Sequence, residues 1–288
     1  MLTAIVRLMR PKQWTKNLII FTPLIFSGSL VEEMVLARVV AAFAVFCLLS
    51  GAVYIINDAH DLERDRLHET KRRRPLAAGE IGLRQATAAA LVLVTISLVS
   101  AAALSLPFAL VAVAYLGLQL AYTFFLKGEA ILDVMAIAGG FVLRVYAGVI
   151  IIGVVVSPWI IACTALLAMF LGFVKRRHEL LIDGDTGDTR PALRHYTAPF
   201  LDMVITAITA ATIVAYTAYT LVSPAGRSQP LLVATVPFVI YGLMRYLFIM
   251  HARDAGGSPD DVLVTDKPLL VDMLLWVTVV VIVLYRPF

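Results

Sequence analysis

Nine stretches of this chain are too apolar, and most are too long, to be anything but helices that cross a lipid bilayer. They run at about 17–31, 36–57, 86–104, 107–126, 130–152, 157–174, 201–223, 230–250 and 268–285. A spanning helix needs about 20 mostly apolar residues, and the few shorter stretches here must sit thin or straight. In hydrocarbon each backbone N–H and C=O must find its partner inside the protein, and a helix meets that need within a single segment. The whole composition agrees, with 60% hydrophobic and 15% charged residues, where soluble domains run at about half and a quarter. The expectation is an all-α polytopic membrane protein, a bundle of nine transmembrane helices, forming one domain over 1–288.

The basic residues orient the bundle. Arg7, Arg10, Lys12 and Lys16 precede the first segment. The loop after the second carries Arg64, Arg66, Lys71, Arg72, Arg73, Arg74 and Arg84, and the loop after the fourth carries Lys127. After the sixth come Lys175, Arg176, Arg177, Arg190 and Arg194, and after the eighth Arg253 and Lys267. The alternate turns hold only Arg38, Arg227 and, at the far end, Arg286. Cytoplasmic loops carry the Lys/Arg excess. The N-terminus is therefore expected in the cytoplasm and the C-terminus outside, in the plasma membrane, with no cleavable signal peptide. The net charge of +4 adds little to this and gives no reason to expect nucleic acid as a partner. Cys47 and Cys163 lie in apolar runs without ligand-like spacing and read as packing residues. Three loops on the cytoplasmic face, 58–85, 175–200 and 251–267, are the longest and are expected to cap a site. The first two lie four helices apart, which hints at two four-helix halves plus a ninth helix, without a residue-level repeat.

Chemistry concentrates at the end of the second segment, in NDAHDLERD, Asn57 to Asp65. If the helix runs on, steps of about 100° put Asn57, Asp61 and Asp65 on one face with Asp58 bordering it. Oxygen donors at that density suit a hard divalent cation, and magnesium commonly bridges one or two carboxylates to substrate phosphates. A solvated acidic helix end is the alternative, but Asn57 and Asp58 abut the apolar AVYII, where stranded carboxylates are costly. The run RLHETKRRRPLAAGEI follows at 66–81. Its cations, Lys71 and Arg74 among them, suit a metal-bound polyphosphate, or else a lipid-headgroup patch. FVKRRHELL, 173–181, ends the sixth segment on the same expected face, so the two motifs are expected to line one cavity. There Lys175 and Glu179 either pair with each other at i, i+4 or, with Arg176, meet substrate; a basic stop at the helix end is the plainer reading. Arg144, deep in the fifth segment, is a site candidate by depth alone. An ion pair with Asp133 within that helix would need to reach roughly 16 Å. Lys16 is either an anchor or a site cation. Tyr196 closes the second long loop with Arg194 and His195. Arg245, Tyr246, Asp260 and Asp261 are weaker candidates.

An apolar helix followed by NDAHDLERD and RRRPLAAGEI resembles the first signature of the UbiA superfamily of intramembrane prenyl-handling transferases, and the resemblance covers almost the whole chain. The prenyltransferase members usually carry a second acidic cluster after the sixth helix; here that place holds KRRHEL. KRRHEL, with RPKQWTKN, HYTAPFL and SPDDV, resembles the branch that acts as decaprenyl-phosphate phosphoribosyltransferase. The resemblance implies a magnesium-dependent glycosyltransferase. It would move 5-phosphoribose from phosphoribosyl pyrophosphate to a polyprenyl (decaprenyl) phosphate and release pyrophosphate, supplying a precursor of cell-wall arabinan. Asn57, Asp58, Asp61 and Asp65 would hold Mg2+ on the diphosphate. Asp58, Asp61, Lys175 and Arg176 would serve catalysis, and Lys16, Lys71, Arg74, Arg144, Lys175, Arg176, Glu179 and Tyr196 would bind substrate. The acceptor is already an anion, so no strong general base is needed. A homo-oligomer is compatible with this reading.

Two rivals remain open. A prenyltransferase joining a prenyl diphosphate to an aromatic acceptor would use a second carboxylate group, for which Asp183, Asp185 and Asp188 are at hand. A transporter would show polar groups at the bilayer midplane, where this chain offers chiefly Arg144.

Overall fold

The structure is a computed structural model and describes every residue except 1, 29–31, 156, 184–190, 253–261, 263–264 and 286–288. All regular elements among the described residues are helical. Eight helices among the described residues are long and apolar enough to cross a membrane: α1 (Glu33–His60), α2 (Leu83–Leu104), α3 (Leu106–Phe124), α4 (Leu132–Ile152), α5 (Pro158–Asp183), α6 (Ala198–Val222), α7 (Val236–Ala252, extended upstream by a 3-10 turn, Pro230–Thr235) and α8 (Lys267–Tyr285). They match the expected second to ninth segments within a few residues, except that α5 runs on to Asp183, nine residues past the expected end at 174, because KRRHELL consists mostly of good helix formers, and the segment expected from 230 opens as the 3-10 turn. Their starts carry local signals. Ser105 Oγ accepts the Phe108 N–H ahead of α3, Thr197 Oγ1 that of Phe200 ahead of α6, and Asp266 Oδ1 that of Leu269 ahead of α8, each satisfying a donor the helix leaves orphaned.

The first segment departs from expectation. Instead of one helix over 17–31 it forms a 3-10 stretch, Pro11–Phe21, then a short α-helix, Thr22–Phe26. Pro23 explains part of the break: it has no N–H to offer the carbonyl of Ile19, and Thr22 donates to that carbonyl instead. The rest of the explanation is tertiary and concerns α4.

The chain divides into two compact units. The first holds 1–24, 29–125 and 143–154; the second holds 25–28, 126–142 and 155–288. In the first, Ile20, Leu24, Phe46, Leu49, Phe108, Tyr115 and Ile151 form one core. A second cluster, Ala4, Leu8, Met9, Ile55, Leu76, Ile81, Ala86 and Ala90, ties the N-terminal helix (Leu2–Leu8) and the 66–81 loop to the end of α1. In the second unit Val134, Phe170, Phe173, Leu193, Tyr196, Leu201 and Tyr246 pack together. A separate aromatic group there joins Phe26, Tyr216, Tyr219 and Trp276, with the Trp276 indole donating to the Tyr216 hydroxyl at 2.9 Å. Apolar side chains such as Leu91, Val92, Ile96 and Val99 of α2 face outward, as lipid-contacting positions do.

Candidate functional site

At the end of α1 the helix does not run straight through the acidic motif. It bends at Asp61 (φ −92°, ψ 7°) before a further short helix, Leu62–Leu67. Helical bonding still links the three expected residues, Asp61 N–H to Asn57 O at 3.0 Å and Asp65 N–H to Asp61 O at 2.8 Å, and a side-chain pairing is added to it. Asp58 and Asp65, 2% and 3% exposed, are the buried carboxylates of this motif, and one nitrogen joins them: Arg74 Nη1 donates to Asp58 Oδ1 at 3.1 Å and to Asp65 Oδ2 at 2.5 Å. Arg10 also donates to Asp58 Oδ1, and its guanidinium lies 5.1 Å from the centre of the Tyr54 ring. Asn57 and Asp61 are half-buried beside this pair.

Local sequence delivers Arg74 to that point. Leu76 and Ile81 anchor the loop in the cluster under α1. Between them the chain turns tightly, Ala78 N–H to Arg74 O at 2.8 Å and Glu80 N–H to Pro75 O at 2.9 Å, with Gly79 at φ +76°, a conformation that costs glycine least. Glu80 binds Arg7. Lys71 begins a 3-10 turn, Lys71–Arg73, and is half-buried, while Arg72 and Arg73 are exposed. Arg10 sits at φ +52° as the chain enters Pro11–Phe21. By sequence Arg10 serves only to orient the bundle; its meeting with Asp58 is a tertiary contact.

No group of three or more His, Cys, Asp or Glu side chains converges among the described residues. The donor chemistry at Asp58 and Asp65 nonetheless fits magnesium, which is satisfied by one or two carboxylates, water and substrate phosphate oxygens. Asn57 and Asp61 lie next to the pair in the chain and offer the same hard oxygens. The guanidiniums of Arg10 and Arg74 supply the positive charge that two buried carboxylates require.

The second motif is built differently. α5 continues through FVKRRHELL, so these residues lie on a helix. Arg176, 0% exposed, donates from Nε to Asp133 Oδ2 at 2.5 Å and from Nη1 to Glu179 Oε2 at 2.5 Å. Asp133, equally buried, also accepts from the Tyr196 hydroxyl at 2.9 Å. That hydroxyl in turn accepts the Ile131 N–H at 2.5 Å. Ile131 is at φ +70°, an outlier for a β-branched residue, and the Tyr196 bond helps hold it there. Burial pushes the Tyr196 phenol above its ordinary pKa of 10, so it remains a donor through the neutral range and loses that role only as the pH rises well past 10. Lys175 is half-buried. Arg177 donates to Asp202 at 2.5 Å. Replacing Tyr196 by Phe removes both hydroxyl bonds and should lower stability by about 1–2 kcal/mol, read as a lower melting midpoint in detergent.

Arg144 and Asp133 have separate partners. Arg144 donates from Nε to Asn17 Oδ1 and from Nη2 to the Tyr115 hydroxyl, both at 2.7 Å. Lys16, next to Asn17, is half-buried on the 3-10 stretch. Arg245 forms a two-bond pair with Asp266, at 3.1 and 2.8 Å. Asp185, Asp188, Asp260 and Asp261 lie outside the described residues, as does the side chain of Asp183.

Comparison with known proteins gives this arrangement its context. The model of the UbiA prenyltransferase family matches residues 21–260. A decaprenyl-phosphate phosphoribosyltransferase of Corynebacterium glutamicum is 34% identical, over 97% of this chain and 86% of its own length. The enzymes of that name from Mycolicibacterium smegmatis and Mycobacterium tuberculosis H37Rv are each 34% identical, over 96% and 97% of this chain and 91% and 94% of their own. Among solved structures, a UbiA homologue of Archaeoglobus fulgidus bound to DMAPP and Mg2+ superposes with a TM-score of 0.77 at 21% identity, covering 98% of this chain and 99% of its own. A digeranylgeranylglyceryl phosphate synthase does so at 0.72 and 18%, covering 99% of each chain. Eight apolar helices, the acidic helix end and these matches lead to one conclusion: this chain is a multi-pass membrane enzyme and belongs to the UbiA prenyltransferase family.

Proposed function

We propose that this protein transfers 5-phosphoribose from phosphoribosyl pyrophosphate to a polyprenyl phosphate, as a decaprenyl-phosphate phosphoribosyltransferase. The observation that carries the reading is the similarity to three enzymes of that name along nearly the whole chain, at 34% identity. The basic KRRHEL at the end of α5 supports it, standing where a prenyl-diphosphate enzyme would want a further acidic cluster.

In the reaction the bond between ribose C1 and the pyrophosphate oxygen breaks, and a bond from C1 to an oxygen of the lipid phosphate forms. Pyrophosphate leaves with the electron pair. Asp58 and Asp65, with Asn57 and Asp61, would hold Mg2+, which when bound withdraws charge from the departing diphosphate. Arg10 and Arg74 are within reach of the same carboxylates. On substrate binding they shift hydrogen bonds toward the diphosphate oxygens, where fixed positive charge favours departure. Arg suits this work because its planar fork grips phosphate with two donors. Lys16 and Lys71 add charge in the same unit. In the second motif Arg176 is engaged with Asp133 and Glu179, so Lys175 is the phosphate-binding residue there, and Tyr196 and Glu179 order its surroundings. The lipid phosphate is an anion near neutral pH and attacks without a protein base.

The enzyme sits in the plasma membrane with its N-terminus and both motif ends toward the cytoplasm, by the distribution of Lys and Arg. Its product would feed synthesis of cell-wall arabinan. Purified protein given Mg2+, radiolabelled phosphoribosyl pyrophosphate and polyprenyl phosphate is expected to make a labelled lipid and release pyrophosphate. Labelling of an aromatic acceptor from a prenyl diphosphate, with none from phosphoribosyl pyrophosphate, would overturn the proposal in favour of a prenyltransferase.

A further inference from the structure

We infer that Arg144 is a positioning residue. It fixes the 3-10 stretch Pro11–Phe21 in place, and with it Arg10 and Lys16, and does not itself touch substrate. A 3-10 run of eleven residues far exceeds the three or four at which such runs usually stop, because their hydrogen bonds are poorer than those of an α-helix. Something outside the run must hold it.

α4 does so twice, with one face. Arg144 is 6% exposed and Asn17 is 1% exposed. The guanidinium Nε donates to Asn17 Oδ1 at 2.7 Å, and Nη2 to the Tyr115 hydroxyl at 2.7 Å, with the Tyr115 ring centre 4.7 Å away. The Asn17 amide donates onward to Ser50 Oγ at 3.2 Å on α1. One helical turn past Arg144, at i+4 and so on the same face, comes Gly148. A Cβ there would stand 2.2 Å from the carbonyl oxygen of Ile20 and 3.2 Å from Pro23 Cδ. Ile20 in turn is i+3 from Asn17, and in a 3-10 helix residues i and i+3 eclipse. One face of α4 therefore grips one face of the 3-10 stretch, through a hydrogen bond at Asn17 and through backbone contact at Ile20. The stretch opens at Arg10, which reaches Asp58, and carries Lys16. Shutting the Arg144 guanidinium into this bracket gives it a task different from phosphate binding.

The inference rests on the proposed transfer for its kinetic arm only. Three variants break the grip in chemically different ways: Asn17→Leu, Arg144→Gln and Gly148→Ala. The last removes no charge. Each is expected to raise KM for phosphoribosyl pyrophosphate about tenfold with kcat within about threefold, because the cations of the stretch lose their placement; a merely destabilised enzyme would lose active fraction at unchanged KM. The double variant Asn17→Leu/Arg144→Gln should be no worse than the more damaged single, since coupled residues are not additive. Independently of activity, trypsin should cut after Lys12 and Lys16 about tenfold faster in all three, because local opening sets that rate. If Arg144→Gln alone raises KM, while Asn17→Leu and Gly148→Ala behave as the parent, Arg144 touches substrate and the inference fails. It fails equally if the cutting rate does not change. Should these variants not be recovered from membranes, Tyr115→Phe and Ser50→Ala each remove one hydroxyl of the bracket; about threefold changes in KM and cutting rate are then expected, and none would overturn the inference. A protein inactive with phosphoribosyl pyrophosphate would remove the proposed function and leave the trypsin result to stand on its own.

Discussion

Asp58→Asn is expected to lower phosphoribosyl transfer by about a thousandfold, the scale of loss when one charged or hydrogen-bonding group that acts on a departing anion is removed. Asp58 is the junction of its site: it accepts from both Arg10 and Arg74 and shares the latter with Asp65. The substitution keeps size and shape and deletes one unit of negative charge. On the proposed reading a divalent ion would lose a buried ligand, and two guanidiniums would lose the carboxylate that they bind. The fold should survive, because Arg10 and Arg74 are 28% and 26% exposed at the side chain and recover hydration. The measurement is the initial rate of lipid labelling across a magnesium titration, beside a melting curve in detergent. A variant that folds and turns over within tenfold of the parent would mean that the diphosphate and its metal are held elsewhere. Asp61→Ala, at the bend of the same motif, should also abolish transfer while the protein stays in the membrane.

Asp133→Leu should produce the largest loss of stability, about 3–5 kcal/mol, the range found when a buried ion pair loses one partner. Arg176 is wholly buried between Asp133 and Glu179, and Tyr196 also donates to Asp133. Removing Asp133 leaves the guanidinium with one carboxylate and the phenol without an acceptor. Reversible unfolding in mixed micelles would report the change. The double variant Asp133→Leu/Arg176→Met should recover most of the loss, because a buried pair replaced by apolar side chains of similar volume is often neutral. If the two losses simply add, the pair is not the reason for the single variant's instability.

These predictions divide the site along a line visible in the chain itself. The acidic motif could be read from its residues because a helix-end cluster of oxygen donors against an apolar run has few uses. The basic loop could be read from its cations, and Gly79 from its place after Pro75. Three things could not. Asp58 and Asp65 are joined by Arg74 from the following loop, and Asp58 also by Arg10 from far upstream. Arg176 looks like a free cation in KRRHEL, yet its charge is met by Asp133, 43 positions away. Arg144 reads as a site candidate by depth alone, and its partner Asn17 stands 127 positions away. Periodicity reports only on neighbours along the chain; none of these partners is one.

What the amino-acid sequence determined on its own is the solvent of this protein and the elements it builds there. Long apolar runs must become helices in a bilayer because the backbone has no water to bond, and eight of the nine expected spans are helical among the described residues, α5 alone running well past the end of its apolar run. Which charge answers which was decided only by the tertiary structure, as was the distortion of the first segment into a 3-10 stretch under the grip of α4. In a low-dielectric interior an ionised side chain must find a partner wherever packing brings one, and packing joins residues that the linear order keeps far apart.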